Sequence, residues 1–245
     1  MVIYFSIKWY HYKHAKYAVL LGGCLGLAAL VRPSEILLVL IPLLWGLSGV
    51  NQIQERVKYL WQYRNQVAVA LLIAGAIGFL QLLYWKLLSG SWLFDSYKGE
   101  GNFTFTSPHI FDGLFSYKKG WFVYTPLMLL AVAGFFWVKK FVPAALLALL
   151  VYFVINIYFT FSWNPWWYGG SFGMRALIQM YAIMSFGLAS FLTFMFNKDW
   201  RKELAFLLVA ACIYLNLFQT WQFRKGMIHW EEMTKEKYWD VFLKD

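Results

Sequence analysis

Two segments of the 245-residue sequence concentrate the residue types that do chemistry on polar ligands. The shorter, Ser162-Trp-Asn-Pro-Trp-Trp-Tyr-Gly-Gly-Ser-Phe-Gly-Met-Arg175, holds three tryptophans, a Gly-Gly pair and one arginine. A guanidinium is a planar fork of donors that fits a phosphate oxyanion, and glycine lets the backbone approach a ligand closely. The plainer reading is a belt of interfacial tryptophans with a snorkelling arginine. The longer segment, residues 89–120, mixes Asp95, Glu100, Asp112 and His109 with Lys98, Lys118, Lys119 and many aromatic rings. Carboxylates suit sugar hydroxyls, ring faces suit stacking and cations suit phosphate. That mixture fits a sugar or phosphate site at a membrane surface, and it equally fits an interfacial loop of anchoring rings and solvated charges. Arg32 is the third feature, a charge set between two apolar runs. Such a charge is costly near hydrocarbon and by default suggests function; the alternative is a structural pairing with Glu35.

The elements that must hold these residues read as membrane spans. Hydrophobic residues make up 61% of the chain and charged residues 14%, against about 45–50% and about 25% in soluble domains. The apolar residues come in blocks of up to ~20, the length that crosses a bilayer core of ~30 Å. Tryptophan and tyrosine crowd the block ends, as they do at headgroup level. Blocks 17–31 and 36–47 form two short arms meeting at Arg32-Pro33, where Pro33 suits a first helical turn and Glu35 its positive dipole end. Blocks 67–88, 121–138, 141–161, 175–196 and 204–218 follow, and the polar, aromatic stretch 51–66 suits an interfacial helix. The expected fold is an all-α polytopic membrane protein with about six to seven transmembrane helices, two external loops and a short external C-terminal tail. Residues 1–220 would form a single transmembrane helical domain and 221–245 an external amphipathic tail.

The net charge of +10 lies in short loops between apolar blocks rather than on one face, which points to topology and away from nucleic acid. The amino terminus, 51–66, 139–140 and 197–203 together carry eleven Lys/Arg against three acids, while 89–120, 162–175 and the tail carry nine against eight. The positive-inside rule therefore places the amino terminus in the cytoplasm and both chemistry-bearing loops, with the tail, outside. No Walker loop, G-x-G-x-x-G, H-E-x-x-H or Cys/His cluster is present, so a soluble nucleotide donor has no cradle and neither a metal nor another cofactor is expected. Cys24 and Cys212 lie in apolar blocks and read as small buried hydrophobes. Asn156 and Gln179, inside spans, suit interhelical hydrogen bonds.

Three stretches, Gly26-Leu-Ala-Ala-Leu-Val-Arg-Pro-Ser-Glu35, Gly113-Leu-Phe-Ser-Tyr-Lys-Lys-Gly-Trp-Phe-Val-Tyr-Thr-Pro126 and Trp166-Trp-Tyr-Gly-Gly-Ser-Phe-Gly-Met-Arg175, resemble those of GT-C-type membrane glycosyltransferases. The nearest flavour is the protein-mannosyltransferase-like, family 39-like proteins of Bacteroidota-type bacteria. The resemblance runs over about residues 17–196, and its third stretch is the most specific. It implies an inverting transferase that moves a sugar from a polyprenyl-phosphate donor to a glycan, lipid or protein acceptor on the external face of the bacterial inner membrane. By resemblance, Arg175, Lys118 and Arg32 hold the carrier phosphate. Asp95, Glu100, His109, Trp166, Trp167, Tyr168, Gly169 and Gly170 border the sugar or acceptor pocket. The family's catalytic carboxylate sits in a first external loop after a first transmembrane helix. Met1 opens what reads as a later cytoplasmic loop. The expectation is thus the carboxy-terminal part of a larger module, inactive alone, with its catalytic carboxylate outside the chain. The alternatives are a non-catalytic membrane protein of cell-envelope glycan biosynthesis (a lipid-carrier transporter or an assembly subunit) and a polymerase or ligase using the same carriers. A transporter should show inverted repeats and broken spans, and only Arg32-Pro33 hints at such a break. No chain of acids runs through the spans to serve proton coupling.

Overall fold

The computed structural model describes residues 1–49, 52–94, 99 and 101–244, which are mostly helical, with strand confined to two short pieces. Four helical stretches are long and apolar enough to cross a membrane: Arg64–Ser89, Pro143–Phe161, Arg175–Met195 and Asp199–Arg224. Two shorter apolar helices, Ala15–Val31 and Pro33–Leu44, accompany them. The chain divides into two compact units, Met1–Gly99 with Val142–Ile155, and Glu100–Phe141 with Asn156–Asp245.

The first unit contains α1 (Val2–Tyr12), α2 (Ala15–Val31), a 3-10 turn (Pro33–Val39) leading into α3 (Leu40–Leu44), α4 (Ile53–Gln62) and α5 (Arg64–Ser89). The expected break at Arg32-Pro33 has a local cause. A residue before proline is pushed out of the α region, and Arg32 is extended at φ −149°, ψ 116°. Pro33 then opens the next turn, where its missing N–H costs nothing. The second arm differs from a continuous helix over 36–47: it is 3-10 to Val39 and α only to Leu44. Glu35 is 6% exposed and accepts a hydrogen bond of 3.2 Å from the Tyr152 hydroxyl, while Arg32 lies within electrostatic range of that same hydroxyl.

Helices α2 and α5 meet backbone to backbone. A Cβ on Gly22 would lie 2.3 Å from the Ala70 carbonyl oxygen, and one on Gly26 would lie 2.9 Å from the Ala74 Cα. Small residues four apart on both helices thus set the contact, as in packed membrane helices, where close approach replaces the hydrophobic drive of water. No residue of α5 is buried, and Leu71, Leu72, Leu80, Leu87 and Leu88 are all exposed. A contiguous apolar surface of this kind suits hydrocarbon rather than water.

The second unit contains β1 (Asn102–Phe103), α6 (Ile110–Phe115), α7 (Trp121–Tyr124), α8 (Leu127–Phe141), the end of α9 (Pro143–Phe161) and β2 (Trp163–Asn164). A 3-10 turn (Arg175–Met180) continues into α10 (Tyr181–Met195), followed by α11 (Asp199–Arg224) and α12 (Lys235–Val241). The span expected over 121–138 is interrupted. Pro126 lacks an N–H and excludes Thr125 from the α region, so Thr125 sits at φ −138° and α7 stops short of α8. Helix α8 then continues to Phe141 with Lys139 and Lys140 in its last turn, at the negative end of its dipole. It crosses α10 at two glycines: a Cβ on Gly134 would lie 1.8 Å from the Gly187 carbonyl oxygen, and one on Gly187 would lie 2.1 Å from that of Ala131.

Helix α11 continues to Arg224, beyond the expected end at 218, and the segment after it packs back on the unit. Ile228, Met233 and Tyr238 are buried together with Tyr124. Two buried amides fix this return: Gln219 donates to the Tyr238 hydroxyl at 2.7 Å, and Gln222 donates to the carbonyls of Val241 at 2.5 Å and Lys244 at 2.9 Å.

Candidate functional site

The two loops singled out by their residue types are joined in the second unit. Strands β1 and β2 pair antiparallel, Asn102 with Asn164 and Phe103 with Trp163. Thr104 N–H donates to Ser162 O at 2.6 Å and His109 N–H to Phe161 O at 2.9 Å, which extends the seam. The Phe103 ring packs against Phe159 and Trp163, each at 4.9 Å, so apolar contact reinforces the ladder. Gly113 of α6 allows the Phe161 ring in: a Cβ there would stand 1.9 Å from a ring carbon.

Along this seam the tryptophans form a platform. Trp166, buried, stacks with the His109 ring at 6.2 Å and meets Trp167 edge-on at 5.9 Å. His109 in turn pairs with Asp112 at 3.3 Å. The Lys118 ammonium lies 3.5 Å above the Trp167 ring, and the indole N–H of Trp167 donates to a Glu231 carboxylate oxygen at 2.7 Å. Cation, ring face and carboxylate are therefore held by one indole.

Arg175 caps the other end of the motif. Its Nη2 donates to Tyr168 O at 2.6 Å while the side chain stays exposed, and the Tyr168 hydroxyl donates to Thr160 O at 2.7 Å. This geometry needs Gly169, at φ 72°, to turn the chain back toward the guanidinium, which lies 3.8 Å from where a Gly169 Cβ would be. Gly170 has a packing role instead, since a Cβ would meet the Trp230 ring at 2.3 Å. Among the described residues neither Lys118 nor Arg175 makes an ion pair. Two cations beside an indole platform can receive an anion without first displacing a carboxylate.

Lys119 does a different job from its neighbour. It is 1% exposed, and its ammonium donates to the carbonyls of Ser171 and of Trp230, the latter at 2.6 Å, with Ser171 Oγ at 3.3 Å. It thus fastens the Gly-Gly loop to the segment that follows α11. Burial pushes its ammonium down to about 8; Glu231 pulls it the other way, and Arg175 and Lys118 add to the lowering. That Glu231, Arg175 and Lys118 all act on one ammonium places the three in a single neighbourhood.

No family model matches this chain, and no curated protein and no solved structure matches it either.

Of the residues picked out from the sequence, Lys118, His109, Trp166, Trp167, Tyr168, Gly169, Gly170 and Arg175 all belong to this second unit. Arg32 belongs to the first unit, beside Tyr152. Asp95 and Glu100 lie outside the described residues. Glu231 and Trp230 complete the cluster and were not among the sequence candidates, while Lys119, named there as a loop cation suited to phosphate, is instead buried as a fastener. Trp230-Glu231-Glu232 reads as part of a mixed-charge tail, and only the recurrence of Ile228, Met233 and Tyr238 signals that this tail has an apolar side to bury. Among the described residues no three His, Cys, Asp or Glu side chains converge as metal ligands would.

Proposed function

We propose that this chain is the carboxy-terminal part of a multi-pass membrane glycosyltransferase of the GT-C type, which uses a polyprenyl-phosphate-linked sugar at the external face of a bacterial inner membrane. One observation supports the reading above the others. Lys118, Trp167 and Glu231 meet on one indole, Arg175 lies within electrostatic range of the adjacent Lys119, and the motif that carries Trp167 and Arg175 follows an apolar helix of membrane length. In this reading the two arms at Arg32-Pro33 and the broken α7–α8 stretch supplement the four long helices, giving roughly six to seven passes. The charge count then sets the amino terminus in the cytoplasm and the cluster outside.

In such a transfer the bond from the sugar's anomeric carbon to phosphate breaks, and its electron pair leaves on the phosphate oxygen. The acceptor hydroxyl oxygen forms the new bond to that carbon and gives its proton to a base. Positive charge builds on the sugar and negative charge on the leaving phosphate. Preorganised cations are the natural stabilisers of that phosphate, a role that falls to Arg175 and Lys118. The Trp166 and Trp167 rings suit a sugar face, and Glu231 and His109 suit its hydroxyls. The proton-accepting base is assigned to no residue of this chain.

A second reading, a non-catalytic protein that binds the carrier, is favoured by how the described carboxylates of the cluster are used. Asp112 is paired with His109, and Glu231 accepts from Trp167. The test is transfer of labelled sugar from its polyprenyl phosphate, in proteoliposomes, by the purified full-length protein of which this chain is the carboxy-terminal part. Arg175→Ala is expected to lower the rate about 10²-fold or more. Wild-type transfer and carrier binding by Arg175→Ala would refute the phosphate assignment. Carrier binding by the wild type without any transfer would select the second reading.

A further inference from the structure

The first unit has two adjoining cavities that the proposed chemistry does not use. One, of about 250 Å³, is lined by Gly46, Gln52, Glu55, Arg56, Tyr59 and Tyr10. The other, of about 220 Å³, runs between Leu21 and Leu25 of α2, Val39 and Leu43 of the second arm, and Leu71 of α5. Tyr10 lines both, so a polar cavity and an apolar one share a wall.

The two are chemically opposite. In the apolar cavity the polar liners have their polar ends engaged elsewhere. The Tyr10 hydroxyl donates to Pro42 O, and Gln66 accepts from the Trp9 indole at 2.7 Å and donates to Lys13 O at 3.0 Å. In the polar cavity the reverse holds. Arg56 donates through Nη2 to Trp45 O and lies 4.2 Å over the Tyr10 ring, yet its Nε and the Tyr59 hydroxyl have no hydrogen-bond partner among the described residues. Buried donors without partners are rare and call for an acceptor supplied from outside the protein. Among the described residues Arg56 also makes no ion pair.

The surroundings are strongly basic. Lys8, Lys13, Lys16, Arg56, Lys58 and Arg64 stand on or beside α1 and α4 against the one acid Glu55. Helix α4 itself buries no residue and exposes Ile53, Val57 and Trp61, as a helix lying in a membrane interface does. A basic pocket beside an apolar groove at headgroup level selects a molecule with an anionic head and a hydrocarbon tail. We infer that these two cavities bind one anionic glycerophospholipid of the bilayer, its phosphate against Arg56 and Tyr59 and an acyl chain between α2 and α3. The site is independent of the proposed transfer chemistry, which rests on residues of the other unit.

The full chain, purified in detergent and stripped of lipid, tests this by native mass spectrometry with dioleoyl phosphatidylglycerol, dioleoyl phosphatidylcholine and inorganic phosphate. Phosphatidylglycerol is expected to bind about tenfold or more tightly than phosphatidylcholine, and inorganic phosphate is expected not to displace it. Arg56→Gln, which keeps an amide donor for Trp45 O, should weaken phosphatidylglycerol about tenfold. Leu43→Trp fills the apolar cavity and leaves the polar one intact, so it should weaken the same lipid and decides the matter if Arg56→Gln does not fold. Equal affinity for the two lipids, displacement by phosphate, or wild-type binding by the folded variants would each overturn the inference.

Discussion

Lys119 gives up its hydration to hold the carbonyls of Ser171 and Trp230, and burial pushes its ammonium down to about 8 from an unfolded value of 10.5. Between those two values the unfolded chain binds a proton that the folded chain has released. The contribution of Lys119 to stability is therefore constant below about pH 8 and increases as pH rises toward 10.5. Unfolding midpoints of wild type and Lys119→Met in detergent, followed from pH 7 to 10, check this. Near pH 7 the variant should be less stable by ~1–3 kcal/mol, because Ser171 O loses its ammonium partner. The gap should widen above pH 8, and a constant gap would contradict the assignment. The adjacent Lys118 is half-buried over an indole instead, so two consecutive lysines divide into a fastener and a cation laid on a ring face. Adjacent positions of identical type carry no sequence signal for that division; it depends on which one the chain turns inward.

Helix contacts in both units depend on glycines that bring backbones together, and this can be tested within one protein. Gly187→Leu must push α8 away from α10, because its Cβ alone would lie 2.1 Å from Ala131 O. A loss of at least ~1–3 kcal/mol is expected from such overpacking. Gly78→Ala, on α5 with nothing within 4 Å of its new Cβ, should be neutral or stabilise by up to ~1 kcal/mol through helix propensity. Thermal unfolding of the two variants measures both, and equal midpoints would show that the α8–α10 crossing is not the constraint. Elements governed by local rules were legible in the sequence. The Arg32-Pro33 break followed from how proline restricts its neighbour, and the long apolar runs gave the helices around 64–89 and 143–161. The Thr125-Pro126 break obeys the same rule but lies inside a continuous apolar run, and hydrophobicity masked it. The β1–β2 seam and the return of the segment after α11 were not legible. Each joins residues far apart in sequence, Phe103 with Trp163 and Tyr124 with Tyr238, with no periodic signal announcing either partner.

For the molecule as a whole, composition fixes the solvent more firmly than any single residue fixes the chemistry. Apolar residues make up 61% of the chain, and α5 has no buried residue despite its 26-residue length. The uneven charge count predicts which loops face which side. In a background with Cys24 and Cys212 replaced by serine, Glu232→Cys should react with an impermeant maleimide from outside intact spheroplasts. Lys58→Cys should react only after permeabilisation, and the opposite pattern would invert the proposed orientation.

The proposed chemistry begins with capture of a polyprenyl phosphate, so the most direct measurement is its equilibrium binding to the purified chain in nanodiscs. Wild type should bind the carrier, Arg175→Ala and Lys118→Ala should each weaken it about tenfold or more, and the double variant further. Lys58→Ala, on α4, should bind as wild type does. Unchanged binding in the Arg175 and Lys118 variants would contradict the account at its centre.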